Sequence, residues 1–243
     1  MSADASSVAS SNSTCFRHSG VTAIAACDRC GTFGCGECID PIGEQRFLCM
    51  QCKARQVGAL PSLHGRATWA RRGLWATAAL MLGVELATLL GAQDNGMGER
   101  LNPGSVVLAV LGLVLVLVYI TTYITTVVLF CRWFHLAVRH VAARSVRLGV
   151  TPAGAVASWF IPFVNLVRPF RISRQMLDGT GGDSSIVGPW QALWLIGNTV
   201  SRASSRMESA VLSFISSLLL IGAAFLAVRV INGITRSVGA DIA

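Results

Sequence analysis

The chain has 243 residues, of which 53% are hydrophobic and only 13% charged, about half the charged share of an ordinary soluble domain, so a single water-soluble globule is excluded. Its 20 Lys and Arg against 12 Asp and Glu give a formal charge of +8, yet many arginines stand at the ends of apolar runs (Arg71, Arg72, Arg132, Arg139, Arg144 and Arg147). That placement fits the cytoplasmic edges of membrane helices, where anionic lipid is met, and argues against a nucleic-acid partner.

Residues 1–14 (MSADASSVASSNST) are Ser/Ala-rich and have neither the basic stretch nor the apolar run of a secretory signal. They are expected to form a disordered tail. The cysteines that follow are then expected to meet a reducing cytosol, where paired cysteines signify metal more often than disulfides. Seven of the eight cysteines fall within residues 1–72, whereas almost everything after Gly73 is apolar. The division predicts one small polar module followed by one helical membrane domain.

Residues 15–52 carry four ligand pairs, each spaced by two residues: Cys15 and His18, Cys27 and Cys30, Cys35 and Cys38, Cys49 and Cys52. The spacing lets one tight turn aim both side chains at a single ion, and eight ligands suffice for two tetrahedral sites. Both sites would be filled by protein donors, so two structural Zn2+ ions are expected, with no open position for substrate. Phe33, Ile39, Phe47 and Leu48 are the main apolar residues available, so metal must supply much of the folding energy. Over these residues the pattern resembles the B-box type of zinc finger. The resemblance implies a cross-brace, with Cys15, His18, Cys35 and Cys38 on one ion and Cys27, Cys30, Cys49 and Cys52 on the other. A B-box commonly ends in histidines and this chain does not, so a sequential pairing of neighbours stays open.

Residues 53–72 read as a basic linker. The fold class expected beyond it is an all-α polytopic membrane bundle over residues 73–236. Spans are predicted at about 73–92, 106–131, 186–202 and 210–231, each near the length a bilayer requires. The segment 152–170 is short and broken by Pro162 and Pro169, which suggests a re-entrant or interfacial element. If it crossed the membrane, Arg168, Arg171 and Arg174 would lie outside, against the positive-inside tendency. Four spans place both termini inside, and five spans are the alternative.

Several polar residues stand out against this background. Glu85 lies near the middle of the first span, where a carboxylate must face the bundle interior or a wet cavity. Asn198, Arg139 or a tyrosine could partner it. Tyr119, Thr121, Thr122, Tyr123, Thr125 and Thr126 form a polar stripe that either lines an aqueous path or bonds back to helix carbonyls. Ser201, Ser205, Ser209, Ser213 and Ser217 recur every fourth residue, a packing seam within the bundle or between protomers of a homo-oligomer. Asn165, between the two prolines, is placed to serve backbone groups that a broken helix leaves unpaired, or to bind a ligand. Cys131, His135 and His140 do not share one helical face and are not read as a metal site.

The run Trp159-x2-Pro162-x2-Asn165-x3-Pro169, with Phe170, Arg174 and the later PWQALWLIGN at 189–198, resembles a bacterial membrane family of unknown function, domain-of-unknown-function family 4328. The resemblance spans about residues 70–235 and implies no activity. No GxSxG, HExxH or phosphate-loop pattern occurs, so an enzyme is not expected. The sequence therefore points to an adaptor or regulator in a bacterial inner membrane, its zinc module cytosolic and facing a protein partner. The competing reading is a small transporter or channel built on Glu85 and the Tyr/Thr stripe.

Overall fold

A computed structural model describes residues 13–42, 46–94, 103–144, 146 and 148–240. Residues 1–12 of the tail expected at 1–14 lie outside the described residues, whereas Thr14 forms an antiparallel bridge with Thr22. The chain divides into two compact units, one of Met1–Ser62 with Val138–Thr151, the other of Leu63–Ala137 with Pro152–Ala243.

In the first unit, strands β1 (Ala25–Ala26) and β2 (Phe33–Gly34) pair antiparallel, as do β3 (Ile39–Ile42) and β4 (Arg46–Cys49). Helix α1 (Met50–Gly58) follows β4 directly. Ala25, Cys27, Ile39, Leu48, Cys49 and Cys52 form the buried cluster, with Phe47 packed against it. Phe33, expected inside, is 40% exposed. Successive strand residues face opposite ways, and in β2 the inward position belongs to Gly34. A Cβ on Gly34 would stand 2.7 Å from Ile39 Cγ1, so only glycine lets Ile39 fill the space.

Residues 53–72 are the stretch read as a basic linker. They divide between α1 and the start of α2 (Leu63–Asp94), because nothing before Gly58 and Pro61 interrupts helix. The second unit continues with α3 (Pro103–Ala143), α4 (Pro152–Ala157), a 3-10 turn (Val164–Leu166), α5 (Arg168–Gly179), α6 (Val187–Met207) and α7 (Ala210–Ala240). Helices α6 and α7 form a tight hairpin. Glu208 ends α6 in a left-handed conformation at φ 49°, the usual way to stop a helix and reverse the chain. Gly197 lies against Leu219 and Leu220, and Gly222 against Leu193, so the partners run in opposite directions and glycine brings the two backbones close. Helix α2 packs along α7 in the same antiparallel sense, with Arg71 donating to Asn232 and Trp75 edge-on to Phe225.

The large buried side chains of this unit include Trp133, Phe134, Phe170, Ile172, Met176, Leu177, Ile231 and Ile234. They come from the later part of α3, from α5 and from the later part of α7. Elsewhere α3 turns its apolar residues outward. Val107, Leu111, Leu113, Leu117 and Ile124 are each more than half exposed, and only 6% of the helix's most apolar window is buried. A helical stretch that is apolar all round and so little covered by its own chain is of the kind that crosses a membrane or packs inside a larger core. Among the described residues two helical stretches, Ala109–Ala143 and Ala210–Val238, are long and apolar enough to cross a membrane by length and composition. The four predicted spans all fall within helices, α2, α3, α6 and α7, but among the described residues neither α2, interrupted by Glu85, nor α6, with Asn198, Ser201 and Arg202 through its centre, meets that standard. No helix of spanning length occurs at 152–170. Helix α4 lasts six residues, the chain bends through 158–163, and Phe163 sits at φ 64° and is 84% exposed.

Candidate metal centre

Topology gathers the ligand pairs into two groups. Cys15, His18, Cys35 and Cys38 form one and Cys27, Cys30, Cys49 and Cys52 the other, the donor atoms within each lying within 4.8 Å of one another. The fold thus joins first pair to third and second to fourth, and neighbouring pairs do not share a group. Local hydrogen bonds shape each turn. Cys15 N–H donates to Val21 O, Gly31 N–H to Cys27 O, and Cys38 and Ile39 N–H to Cys35 O, at 2.8–3.1 Å. Gly31 closes its turn at φ 72°, a conformation that glycine adopts freely. The β3–β4 pair and the start of α1 deliver Cys38, Cys49 and Cys52.

The distances fit a tetrahedral ion. His18 Nδ1 stands 3.3 Å from Cys35 Sγ, 3.5 Å from Cys38 Sγ and 3.9 Å from Cys15 Sγ. In the second group Cys30 Sγ and Cys49 Sγ are 3.7 Å apart. Zinc held at its usual bond lengths sets two sulfurs about 3.8 Å apart, and a histidine nitrogen about 3.5 Å from each sulfur. The geometry also selects Nδ1 of His18 as the donor.

Electrostatics within each group point the same way. At Cys15 burial pushes the thiol up, but backbone N–H groups of Cys35, Arg17 and His18 outweigh it and bring it down to about 6. The Thr32 hydroxyl and amide bring Cys30 down to about 6. Burial, and then the neighbouring Cys15 and Cys35, push Cys38 up to about 11. Burial, and then Cys49, Cys30 and Cys27, push Cys52 up to about 12. Each group therefore ionises one thiol easily and resists ionising the last. A divalent cation removes that conflict by neutralising the packed thiolates. Cys30 is exposed whereas its three partners are buried.

Glu85 belongs to a different cluster. Its Oε1 accepts hydrogen bonds from Ser213 and Ser217 of α7, each at 2.8 Å. The expected partners do not include these serines, which the sequence shows only as a packing register. One helical turn separates them, so both hydroxyls reach one oxygen. Asn198 instead donates to Trp194 O of its own helix. Thr121, Thr125 and Thr126 bond back to carbonyls one turn earlier, Thr126 also meets Thr77 at 2.9 Å, and Tyr119 stacks on Tyr123. The serine register is split by the hairpin. Ser201 and Ser205 belong to α6, Ser209 to the turn, and Ser213 and Ser217 to α7.

The motif residues of the bent segment form a packing centre. Trp159 contacts Phe130, Phe134, Phe170 and Trp190 at ring-centroid distances of 5.3–6.0 Å. Pro169 is buried at the start of α5, and Pro162 is exposed. Asn165 does not serve the broken backbone with its side chain. Gln191 does so, donating to Leu166 O at 2.6 Å. Its place in PWQALW beside Trp190 and Trp194 is the only sequence sign of that role. His140 Nε2 hydrogen-bonds Pro61 O at 3.0 Å, and neither it nor Cys131 or His135 enters a metal-ready group among the described residues.

A family model described as Domain of unknown function (DUF4328) matches residues 100–236. The match covers the helices from α3 onward and begins well after the Cys/His groups. No curated protein and no solved structure matches the chain.

Proposed function

The chain belongs to that family through its helical part, and on this premise we propose that it is a membrane-anchored zinc protein whose Cys/His unit presents a surface to a protein partner. The observation that carries the reading is the pair of groups of four donors. A tetrahedral ion in either has no coordination position left for water or substrate, so its work is to fold a recognition surface and not to catalyse a reaction. Alternate-pair grouping supports a B-box-like unit. The outward apolar surface of α3 supports bilayer insertion. In this reading α2, α3, α6 and α7 cross a bacterial inner membrane, the segment 152–170 lies at its cytosolic face, and the zinc unit is cytosolic. Affinity capture from membranes tests it. Partners recovered with the intact chain should be lost in C27S/C30S, and an identical partner set from a chain lacking residues 1–60 overturns the reading.

One observation favours a second reading. A carboxylate with two hydroxyl donors, on a helix that also holds an apolar run, is suited to exchange a proton or a cation. A small transporter built on Glu85 predicts that Glu85→Gln abolishes a proton- or ion-coupled flux in liposomes without unfolding the chain. A reconstituted wild-type chain that moves no solute from a broad panel excludes it.

A further inference from the structure

A cavity of about 530 Å³ lies in the helical unit between the start of α2, the later part of α3 and the α4 segment. Its lining combines two chemistries. Val127, Val128 and Phe160 give it an apolar side, while Arg66 and Arg132 supply two positive charges and His135 a ring donor. Nearby arginines are engaged: Arg71 bonds Asn232 and Thr68, and Arg72 lies over the Trp69 ring. Arg66, Arg132 and His135 take part in none of the side-chain hydrogen bonds or ion pairs found among the described residues.

Depth along α3 adds a second constraint. The uncharged run that begins at Val106 ends at Arg132, so Arg132 and His135 stand where a spanning helix meets lipid phosphates. Val127 and Val128 lie about one turn deeper, on the hydrocarbon side. No acidic residue occurs between Glu99 and Asp178, so α3 and α4 bring no carboxylate to welcome an ammonium or choline group.

We propose that this cavity binds an anionic phospholipid, its phosphate held by Arg66, Arg132 and His135 and its first acyl carbons laid along Val127, Val128 and Phe160. A free phosphate would leave the apolar side empty, and a zwitterionic lipid would bring a cation toward two arginines. Basic pockets between membrane helices bind anionic headgroups on the same physical grounds. The volume suits a headgroup with the start of its chains rather than a whole lipid. The inference rests on α3 crossing the bilayer and is independent of the role of the zinc unit.

The test is native mass spectrometry of the full chain in mild detergent, titrated separately with phosphatidylglycerol, phosphatidylcholine and inorganic phosphate. One phosphatidylglycerol per chain should be retained in preference to phosphatidylcholine. R66Q/R132Q should weaken that binding roughly thirtyfold, the loss that two interfacial charges imply, and leave phosphatidylcholine unchanged. V128W keeps every charge, fills the apolar side and should also expel the lipid. It carries the test if the arginine variant unfolds. Equal retention of the two lipids, unaltered binding in both variants, or phosphate binding as tightly as phosphatidylglycerol would each overturn the proposal. Carbonate extraction of membranes reads the premise separately, and a chain washed free by it removes the proposal while leaving zinc binding intact.

Discussion

Among the described side chains of residues 13–62 the largest fully buried one is Ile39, whereas the helical unit buries Trp133, Phe134, Phe170, Met176 and Leu177 completely. The first unit's buried cluster is half cysteine, so its interior is made largely of donors that repel one another once ionised. The second unit's interior is hydrocarbon and aromatic rings. One chain thus holds itself together in two ways. Where too little apolar area exists to offset chain entropy, a metal ion would have to make up the difference, and where it exists in excess, no ion is required.

Metal removal is the strongest way to break that comparison. Chelation should unfold residues 13–62 and leave α2 to α7 intact, read as protease cleavage confined to the first unit with helical dichroism retained. Structural zinc contributes apparent energies of about 10–16 kcal/mol in zinc-finger peptides, so no residual fold is expected. Acid should act in the same direction. Cys38 and Cys52 lie at about 11 and 12 without metal, so loading must displace their protons and apparent affinity falls as pH falls. Zinc release that does not change between about pH 5 and 8 would exclude thiolate sites of this kind.

Phe170→Ala, next in size, should cost about 3–5 kcal/mol, since its ring is buried against Trp159, Trp190 and Trp194. Thermal unfolding followed with and without chelator should show this loss to be independent of zinc. S213A/S217A deprives Glu85 of both its donors and should cost about 1–3 kcal/mol, two hydrogen bonds at about 0.5–1.5 kcal/mol each. Glu85→Gln retains a carbonyl acceptor and should cost less than the double serine variant. The reverse order would mean that the carboxylate's charge matters to the fold. Smallest is Lys53→Met, which removes the 2.6 Å pair with Asp40. A partly exposed pair of this kind contributes about 0.2–1 kcal/mol, and raising the salt concentration should shrink the difference further.

The sequence made some of this legible and hid the rest for physical reasons. The two-residue spacing of each ligand pair is local, so the turn it makes is readable from the chain alone. Which pair meets which depends on how β1 to β4 fold together, and spacing alone carries no trace of that. Glu85 is conspicuous because it interrupts an apolar run, yet its partners lie 128 and 132 positions away, on a helix whose serines advertise only their register. Phe33 reads as core because it is large, but a two-residue strand is too short to display the alternation that puts Gly34 inside. The aromatic centre around Trp159 was visible as a motif and not as a contact, because its rings come from α3, α5, α6 and the bend before α5.

Alternate pairing of the ligands has one more effect. The stretch from Cys27 to Cys38 lies inside both loops, the one tied between Cys15 and Cys38 and the one tied between Cys27 and Cys52. A metal ion held by either group would fasten a loop that already encloses two donors of the other, which would shorten the search for the second set.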